Sequence, residues 1–381
     1  MRQEKQQDKH PIIQWEEAGR QRSAKWLSES RKAPIRVLVA DDTMNAGTAY
    51  RHACAGTAML WRGDFQNAKQ LQNALARRAE RKSPALNKKS TSPAEAFHRQ
   101  RMALSNRARI LGMLVVELQP DDSIQLNRAP NVQQAIAEAF GKENHPGVIP
   151  LRELLGIIGA HEWRKKGIEI PFLGNRIYPH YGVFPPTRGE YIALVAETPL
   201  PSNALAFDIG TGTGVLAAVL AKRGVSKVIA TDNDPRAIAC AKENIIHLGM
   251  ADRVEVVAAD LFPPQKAPLI VCNPPWIPAK PVTTMEKAVY DPKGRILKRF
   301  LNELPNHLED GGEAWLLLSD LAEQLGLRSR GELLAAFAEA GLAVSGKIDT
   351  RPTHPRAMDE KEPLHAARCA EITSLWRLHL A

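Results

Sequence analysis

Apolar positions along the chain fall into two textures. Up to about residue 165 they recur mostly at helical spacing. In DFQNAKQLQNALARRAER (64–81), Phe65, Ala68, Leu71, Leu75 and Ala79 form one stripe, with Arg77, Arg78 and Arg81 mostly off it. That pattern predicts an amphipathic helix with a basic face. KSPALNKKSTSP (82–93) has the composition of a loop. Ser92-Pro93-Ala94-Glu95 then supplies a capping box with proline in the first turn, opening a helix with Phe97, Leu104, Ala108 and Leu111 on one side. NVQQAIAEAFG (131–141) predicts a short helix stopped by glycine, and PLRELLGIIGAHEW (150–163) another. Residues 1–165 are therefore expected to be mainly helical, and no internal repeat is visible.

From residue 204 short apolar runs alternate with helical patterns. ALAFDI (204–209), KVIATD (227–232), RVEVVAAD (253–260), APLIVCN (267–273), EAWLLLS (313–319) and AEITSLWRL (370–378) read as strands. GVLAAVLAKRG, PRAIACAKENIIHLG and RSRGELLAAFAEAGL read as helices between them. Strands apolar on both faces, alternating with helices, imply a mostly parallel sheet covered on both sides. Ligands in such sheets bind beyond the carboxyl ends of the strands.

Composition places limits on this picture. The 381 residues, 44% hydrophobic and 24% charged, suit a globular protein with room for two domains. The start, MRQEKQQDKHPIIQWEE, has no apolar core for a signal peptide, and no apolar run reaches the roughly 18 residues of a membrane span. The four cysteines are scattered and the histidines show no metal spacing, so a reduced cytoplasmic setting with no metal is expected. The net charge of +9 is unevenly placed. Residues 1–150 hold 24 Lys/Arg against 15 Asp/Glu, whereas the remainder holds 27 of each. Twelve bases lie between Arg62 and Arg109, opposed by Asp64, Glu80 and Glu95. Such a block suits either a polyanion or a solvated helical face.

The chemistry concentrates after residue 204. Asp208-Ile209-Gly210-Thr211-Gly212-Thr213-Gly214 follows one strand and opens a helix, so backbone and ligand can approach closely. Asp232 ends the next strand, placed to accept hydrogen bonds from ribose hydroxyls. The glycines run G-x-G-x-G, and Asp208 precedes them, where a pyrophosphate is repelled and an amine welcomed. IVCNPPW (270–276) closes the fourth strand with a carboxamide, two prolines and an aromatic ring; neither proline supplies an N–H to the ladder.

FDIGTGTG, ATDND, AADLF and VCNPPW, in that order, resemble a class I S-adenosylmethionine-dependent methyltransferase over roughly residues 170–381. NPPW narrows the likeness to the amino-methyltransferases with an (Asn/Asp)-Pro-Pro-(Tyr/Phe/Trp) motif, which act on adenine N6 or guanine N2 of nucleic acids or on glutamine N5 of translation proteins. The resemblance implies a Rossmann-like, seven-stranded α/β methyltransferase sheet with helices on both faces, joined to a mainly helical N-terminal domain. It implies S-adenosylmethionine as cofactor. Asp208, Gly210 and Gly212 would meet its methionine end, with Thr211 and Gly214 completing the turn. Asp232 would bind the ribose, Asn233 would lie by the adenine, and Asp260 with Leu261 would hold the adenine edge. Asn273 would lie beside cofactor and acceptor alike. Its oxygen and the Pro274 carbonyl would accept the two N–H groups of a planar acceptor nitrogen, Pro275 would stiffen the corner, and Trp276 would stack on the acceptor.

The expected organisation is a basic substrate-recognition domain (1–165), a connecting hairpin segment (166–200) and a methyltransferase domain (201–381). FLGNRIYPHYGVFPPTRGEY (172–191) resembles the hairpin-and-proline segment of glutamine methyltransferases, but PPTRGEY replaces their Pro-Arg-Pro-Glu-Thr-Glu-like run, which argues against a release factor as substrate. Tyr178, His180, Tyr181 and Phe184 are read mostly as packing residues, with lining of the target pocket as the alternative, and Thr187, Arg188 and Glu190 are further pocket candidates. Cys272 reads as a buried strand residue, and TRPTHPRAMDEKEPLHAARC (350–369) as a surface connection. The expected partner is nucleic acid, RNA before DNA, because the positive charge gathers in the first domain. A glutamine side chain of a translation protein is the alternative, and a non-catalytic RNA-binding module the third.

Overall fold

The computed structural model describes residues 10–82, 90, 92–142, 144–283, 285–352 and 364–381. They divide into two compact units: Met1–Lys89 with His98–Glu162, and Ser90–Phe97 with Trp163–Ala381. Of the proline-containing connection at 350–369, residues 353–363 lie outside the described set, as do 83–89 and 91 of the loop at 82–93.

The first unit is not mainly helical. Six strands, β1 (Ile12–Glu17), β2 (Arg20–Trp26), β3 (Arg36–Ala40), β4 (Thr57–Trp61), β5 (Leu114–Leu118) and β6 (Gly147–Pro150), form one mixed sheet in the order β1-β2-β6-β5-β4-β3. The helices are α1 (Ala46–Cys54), α2 (Phe65–Arg81), α3 (Pro93–Leu111), α4 (Gln133–Phe140) and α5 (Leu151–Lys166). The last four occupy the stretches whose periodicity predicts them. The strands escape notice for two reasons. β3 to β6 are runs of four or five residues, too short for a period of 2 to be told from one of 3.6. β1 and β2 do alternate, burying Ile13 and Trp15 against Ala24 and Trp26. Their link is a two-residue turn, Ala18-Gly19, with φ of 51° and 70° at its two positions, the geometry that twists with a hairpin.

α2 buries its expected stripe, Phe65, Ala68, Leu71, Leu75 and Ala79, and its N-terminus is capped by Asp64 through Gln66 N and Asn67 N. On α3 the expected stripe divides: Ala108 and Leu111 are buried, and Leu104 is 43% exposed. Phe97 packs in a cluster of the second unit with Ile277, Leu321, Leu325 and Leu364.

The second unit opens with an antiparallel hairpin, β7 (Ile168–Ile170) with β8 (Asn175–Ile177), followed by α6 (Glu190–Glu197). Alternating elements follow: β9 (Leu205–Ile209), α7 (Val215–Lys222), β10 (Lys227–Asp232), α8 (Pro235–His247), β11 (Val254–Ala258) and β12 (Ala267–Cys272). After these come α9 (Arg295–His307), β13 (Leu308–Ser319), α10 (Leu321–Gln324), α11 (Arg330–Glu339), β14 (Leu342–Thr350), α12 (His365–Ala370) and β15 (Thr373–Leu380). The sheet has seven strands in the order β11-β10-β9-β12-β13-β15-β14, with β15 antiparallel to both its neighbours and the other pairs parallel. β14 carries no clear apolar run, burying only Leu342 completely, and is legible only through its pairing.

Both faces of this sheet are covered. One packs Val215, Ala218 and Val219 of α7 and Ile245 of α8 against Ala206, Val228 and Val271. The other packs Leu297, Phe300 and Leu304 of α9 and Phe337 of α11 against Phe207, Ile270 and Leu316. Successive residues of β9 and β12 therefore face two different cores, which is why their sequences are apolar throughout. The chain runs from β9 outward to β10 and β11, then returns to the other side of β9 as β12. The reversal opens a crevice between β9 and β12 at their carboxyl ends.

Candidate active site at the carboxyl ends of the central strands

β9 and β12 are hydrogen-bonded neighbours with Ile209 opposite Cys272. The next residues in the chain, Gly210 and Asn273, leave the ladder directly after this last pair. The glycine turn and the prolyl corner are thus brought together by the ladder, although about sixty residues separate them.

Gly210, Gly212 and Gly214 have φ of 72°, 56° and 82°, left-handed values that L side chains rarely adopt. A Cβ at Gly210 or Gly212 would project into open space, so the turn presents bare backbone there. Asp208 is buried beneath it. Its Oδ2 accepts from the Thr211 hydroxyl at 2.6 Å and from Ala217 N in the first turn of α7 at 3.0 Å. Burial, reinforced by the nearby charge of Asp232 and opposed by those two hydrogen bonds, pushes its carboxyl up to about 6. Both donors converge on Oδ2, which leaves Oδ1 without a hydrogen bond among the described residues.

Asp232 closes β10. It accepts from Gly212 N through Oδ2 at 3.1 Å and from Asp234 N through Oδ1 at 2.9 Å, so it braces the glycine turn from the side. Burial raises its carboxyl above the usual range. Asn233 beside it is exposed, and Asp234 caps α8 through Arg236 N. Leu261 has a φ of 75°, a strained value for a branched side chain, and its carbonyl is held by the Thr231 hydroxyl at 2.6 Å. Asp260 is 65% exposed, and both its oxygens lie 3.1 Å from Arg299 Nη1, so the guanidinium competes for this carboxylate.

At the corner, Cys272 and Pro274 are buried, while Asn273, Pro275 and Trp276 are partly exposed. Burial drives the Cys272 thiol well above its ordinary range and keeps it unreactive. Trp276 Nε1 donates to Asn273 Oδ1 at 2.8 Å and also reaches the Leu317 carbonyl at 3.2 Å. The Arg188 guanidinium stands over the indole at 5.9 Å from the ring centre. Arg188 is held by Glu190 at 2.7 Å and Glu371 at 3.3 Å, and Glu371 also accepts from the Ser319 hydroxyl at 2.7 Å. Of the pocket candidates in the preceding segment, Arg188 and Glu190 reach this network. His180 instead pairs with Glu243 at 2.7 Å.

Beyond the corner, Ile277 bridges to Tyr290, and Asp291 N donates to the Ile277 carbonyl at 2.8 Å. Pro278, Ala279, Lys280, Pro292, Lys293 and Arg295, which follow these paired residues in the chain, line a cavity of about 430 Å³. Buried Asp291 accepts from Ile296 N and Leu297 N at the start of α9.

Two participants are absent from the motifs. Asn244, 1% exposed, accepts from Tyr178 N at 2.7 Å and donates to the Thr213 carbonyl at 3.0 Å, tying the connecting segment to the glycine turn. It lies in the buried stripe of α8 with Ala237, Cys240 and Ala241, and a polar residue inside an apolar stripe is the signal that points to it. Glu371 has no such signal, because its partners are remote in sequence. Among the described residues no cluster of His, Cys, Asp or Glu is arranged to hold a metal ion, and no helix is long and apolar enough to cross a membrane.

Residues 192–339 match the family described as Methyltransferase small domain. The chain is 37% identical over 169 residues to a release factor glutamine methyltransferase of Cereibacter sphaeroides, covering 43% of this chain and 56% of that protein. It is 32% identical over 162 residues to a putative protein N5-glutamine methyltransferase of Methanocaldococcus jannaschii, covering 40% of this chain and 80% of that protein. It is 39% identical over 94 residues to a tRNA1(Val) (adenine(37)-N6)-methyltransferase of Vibrio parahaemolyticus, covering 24% of this chain and 38% of that protein. The chain thus spans little more than half the length of the first of these relatives and a smaller share of the third.

Proposed function

The chain belongs to the methyltransferase small-domain family, with S-adenosylmethionine as cofactor, and from that premise we propose that it methylates an exocyclic amino nitrogen of a nucleic-acid base, in RNA before DNA. The observation that supports N-methylation is the pairing of Ile209 with Cys272, from which the glycine turn and the prolyl corner both depart.

The residues present fit the cofactor. Oδ1 of Asp208, which accepts neither of the two hydrogen bonds made to Oδ2, would receive the ligand's ammonium, and the open space over Gly210 and Gly212 would admit its methionine end. Asp232 would hold the ribose hydroxyls, Asn233 would lie beside the adenine, and Asp260 with Leu261 would border its edge. When bound, S-adenosylmethionine supplies the electrophilic methyl of its sulfonium.

The rest of the reaction is positioning. An exocyclic amine is planar because its lone pair is delocalised, and it is a poor nucleophile in that state. Asn273 Oδ1 and the Pro274 carbonyl each accept one of its two N–H groups, which aims the lone pair and favours its localisation as the bond forms. No strong base is required before transfer: the S–CH3 bond would break as the N–CH3 bond forms, the neutral thioether would leave, and the nitrogen's surplus proton would pass to water. Pro274 and Pro275 restrict the backbone that carries both acceptors.

Two features favour an anionic substrate. Lys280, Lys293 and Arg295 line the cavity that begins two residues past Trp276. Arg77 and Arg81 stand exposed on α2 of the first unit. The second reading, glutamine N5 of a translation protein, is favoured by the alignments to proteins bearing that name. Cell extract labelled with tritiated S-adenosylmethionine separates them: RNase-sensitive label is expected, and label lost to protease but surviving RNase would replace nucleic acid with glutamine. Asn273→Ala is expected to abolish transfer while cofactor binding persists; normal turnover in that variant would remove the proposed geometry.

A further inference from the structure

We infer, building on the N-methyl transfer proposed above, that Trp276 is a positioning residue whose indole N–H, and not its ring face, serves the reaction by fixing the orientation of the Asn273 carboxamide. The need for such a residue follows from the amide itself. Turning the carboxamide by half a rotation exchanges its acceptor oxygen for a donor NH2. An acceptor substrate presenting N–H groups then meets N–H in place of oxygen, and the corner repels what it must hold. Something has to distinguish the two ends. The indole Nε1–H can only donate, so at 2.8 Å it selects the oxygen. It occupies one lone pair of Oδ1 and leaves the second for the substrate.

The indole is partly exposed yet held at several points. Its N–H is shared with the Leu317 carbonyl at the end of β13, and its ring packs against the cluster of Phe97, Ile277, Leu321 and Leu325. Arg188 covers the ring at 5.9 Å. That arginine is itself fixed by two buried carboxylates, Glu190 and Glu371, with exposures of 8% and 1%. A side chain meant to stack on an incoming base keeps a face free and lets it adapt. Here one face carries a guanidinium and the edge is hydrogen-bonded at two points. The chain of contacts runs from Ser319 at the end of β13 and Glu371 just past α12, through Arg188 and Trp276, to Asn273, so residues remote in sequence brace the carboxamide that follows β12.

The related motif also admits Phe and Tyr at this position, which makes the substitution Trp276→Phe decisive. Phenylalanine retains a ring for stacking and for Arg188 but has no N–H. With RNA from cells lacking the enzyme as acceptor, Trp276→Phe is expected to lower kcat at least tenfold. The acceptor KM and the Kd for S-adenosylmethionine, read by calorimetry, should each stay within about threefold. A variant with kcat within twofold of the parent, or with a raised KM and unchanged kcat, would show that the ring suffices and overturn the inference. Placing β-(3-benzothienyl)alanine at position 276 keeps the size and shape of tryptophan and replaces only the N–H by sulfur, so it reads the same quantity where phenylalanine disturbs packing. It should share the loss in kcat; parental turnover would overturn the inference. Asn273→Ala keeps the two levels apart. If it is inactive while Trp276→Phe is normal, the positioning role falls and N-methyl transfer stands; if it turns over normally, the transfer geometry falls regardless of Trp276.

Discussion

The hydroxyl of Thr211 donates to Oδ2 of Asp208 at 2.6 Å, across three residues of a turn built on left-handed glycines. This bond, with the one from Ala217 N to the same oxygen, turns Asp208 into a clasp between the end of β9 and the start of α7. It also sets the charge at the base of the crevice, with consequences for both stability and binding.

Asp208→Asn is expected to stabilise the unliganded protein at neutral pH. The folded carboxyl titrates at about 6, against an ordinary 3.8, so the native state holds its proton more tightly than the unfolded chain. Stability therefore falls as pH rises from 3.8 to 6, and the full penalty persists above that. Asparagine removes the charge and retains an oxygen for both donors, for a gain on the order of 1–3 kcal/mol above pH 6 that disappears near pH 4. Thermal melts of the two proteins across that range measure it.

The same carboxylate should make cofactor affinity depend on pH in the opposite sense. An ammonium is held by the ionised form, so the affinity for S-adenosylmethionine is expected to weaken as pH falls through about 6. Titration calorimetry at pH 5, 6 and 7.5 reads the change, and Asp208→Asn should abolish most of that dependence while weakening affinity at pH 7.5 by tenfold or more.

Gly214→Ala should cost about 1–3 kcal/mol in urea unfolding, because its φ of 82° disfavours a side chain. The new Cβ would also lie 3.3 Å from Cα and Cβ of Ala241, so α7 and α8 would have to separate slightly. A midpoint equal to the parent's would mean that neither strain nor crowding operates there.

Asn244→Ala removes the partner of two backbone groups at once, Tyr178 N and the Thr213 carbonyl. Leaving buried backbone groups unsatisfied costs about 1–3 kcal/mol each. Stability should fall by that order, and cofactor affinity with it, since Thr213 belongs to the glycine turn. Parallel unfolding and binding measurements test whether the two losses travel together.

Reversing Arg77, Arg78 and Arg81 to glutamate should weaken RNA binding in a salt-dependent manner, lowering the slope of log K against log salt by about 0.7 per lost phosphate contact on a single strand. Arg77 and Arg81 are exposed, so folding should change little. Arg62 and Arg107 would be poor substitutes in this test, because they already pair with Glu17, Glu117 and Glu80.

Much of the second unit is legible in the amino-acid order because its elements are determined locally. Asp208 to Gly214, Asp232 and Asn273 to Trp276 each sit at the end of an apolar run, and a doubly covered strand has to be apolar throughout. Phe65 to Ala79 likewise announce α2, since a stripe at a period of 3.6 along a helix of seventeen residues has one meaning. What only the tertiary structure decided is pairing. β3 to β6 are too short to declare a period, and β14 shows no run at all, so they exist as strands because neighbours remote in sequence supply their hydrogen bonds. The same holds at the site: the motifs name Asn273 and Trp276, but the fold alone brings Leu317, Arg188 and Glu371 to them. A turn is encoded in consecutive residues, whereas a brace across strands is encoded in none of them singly.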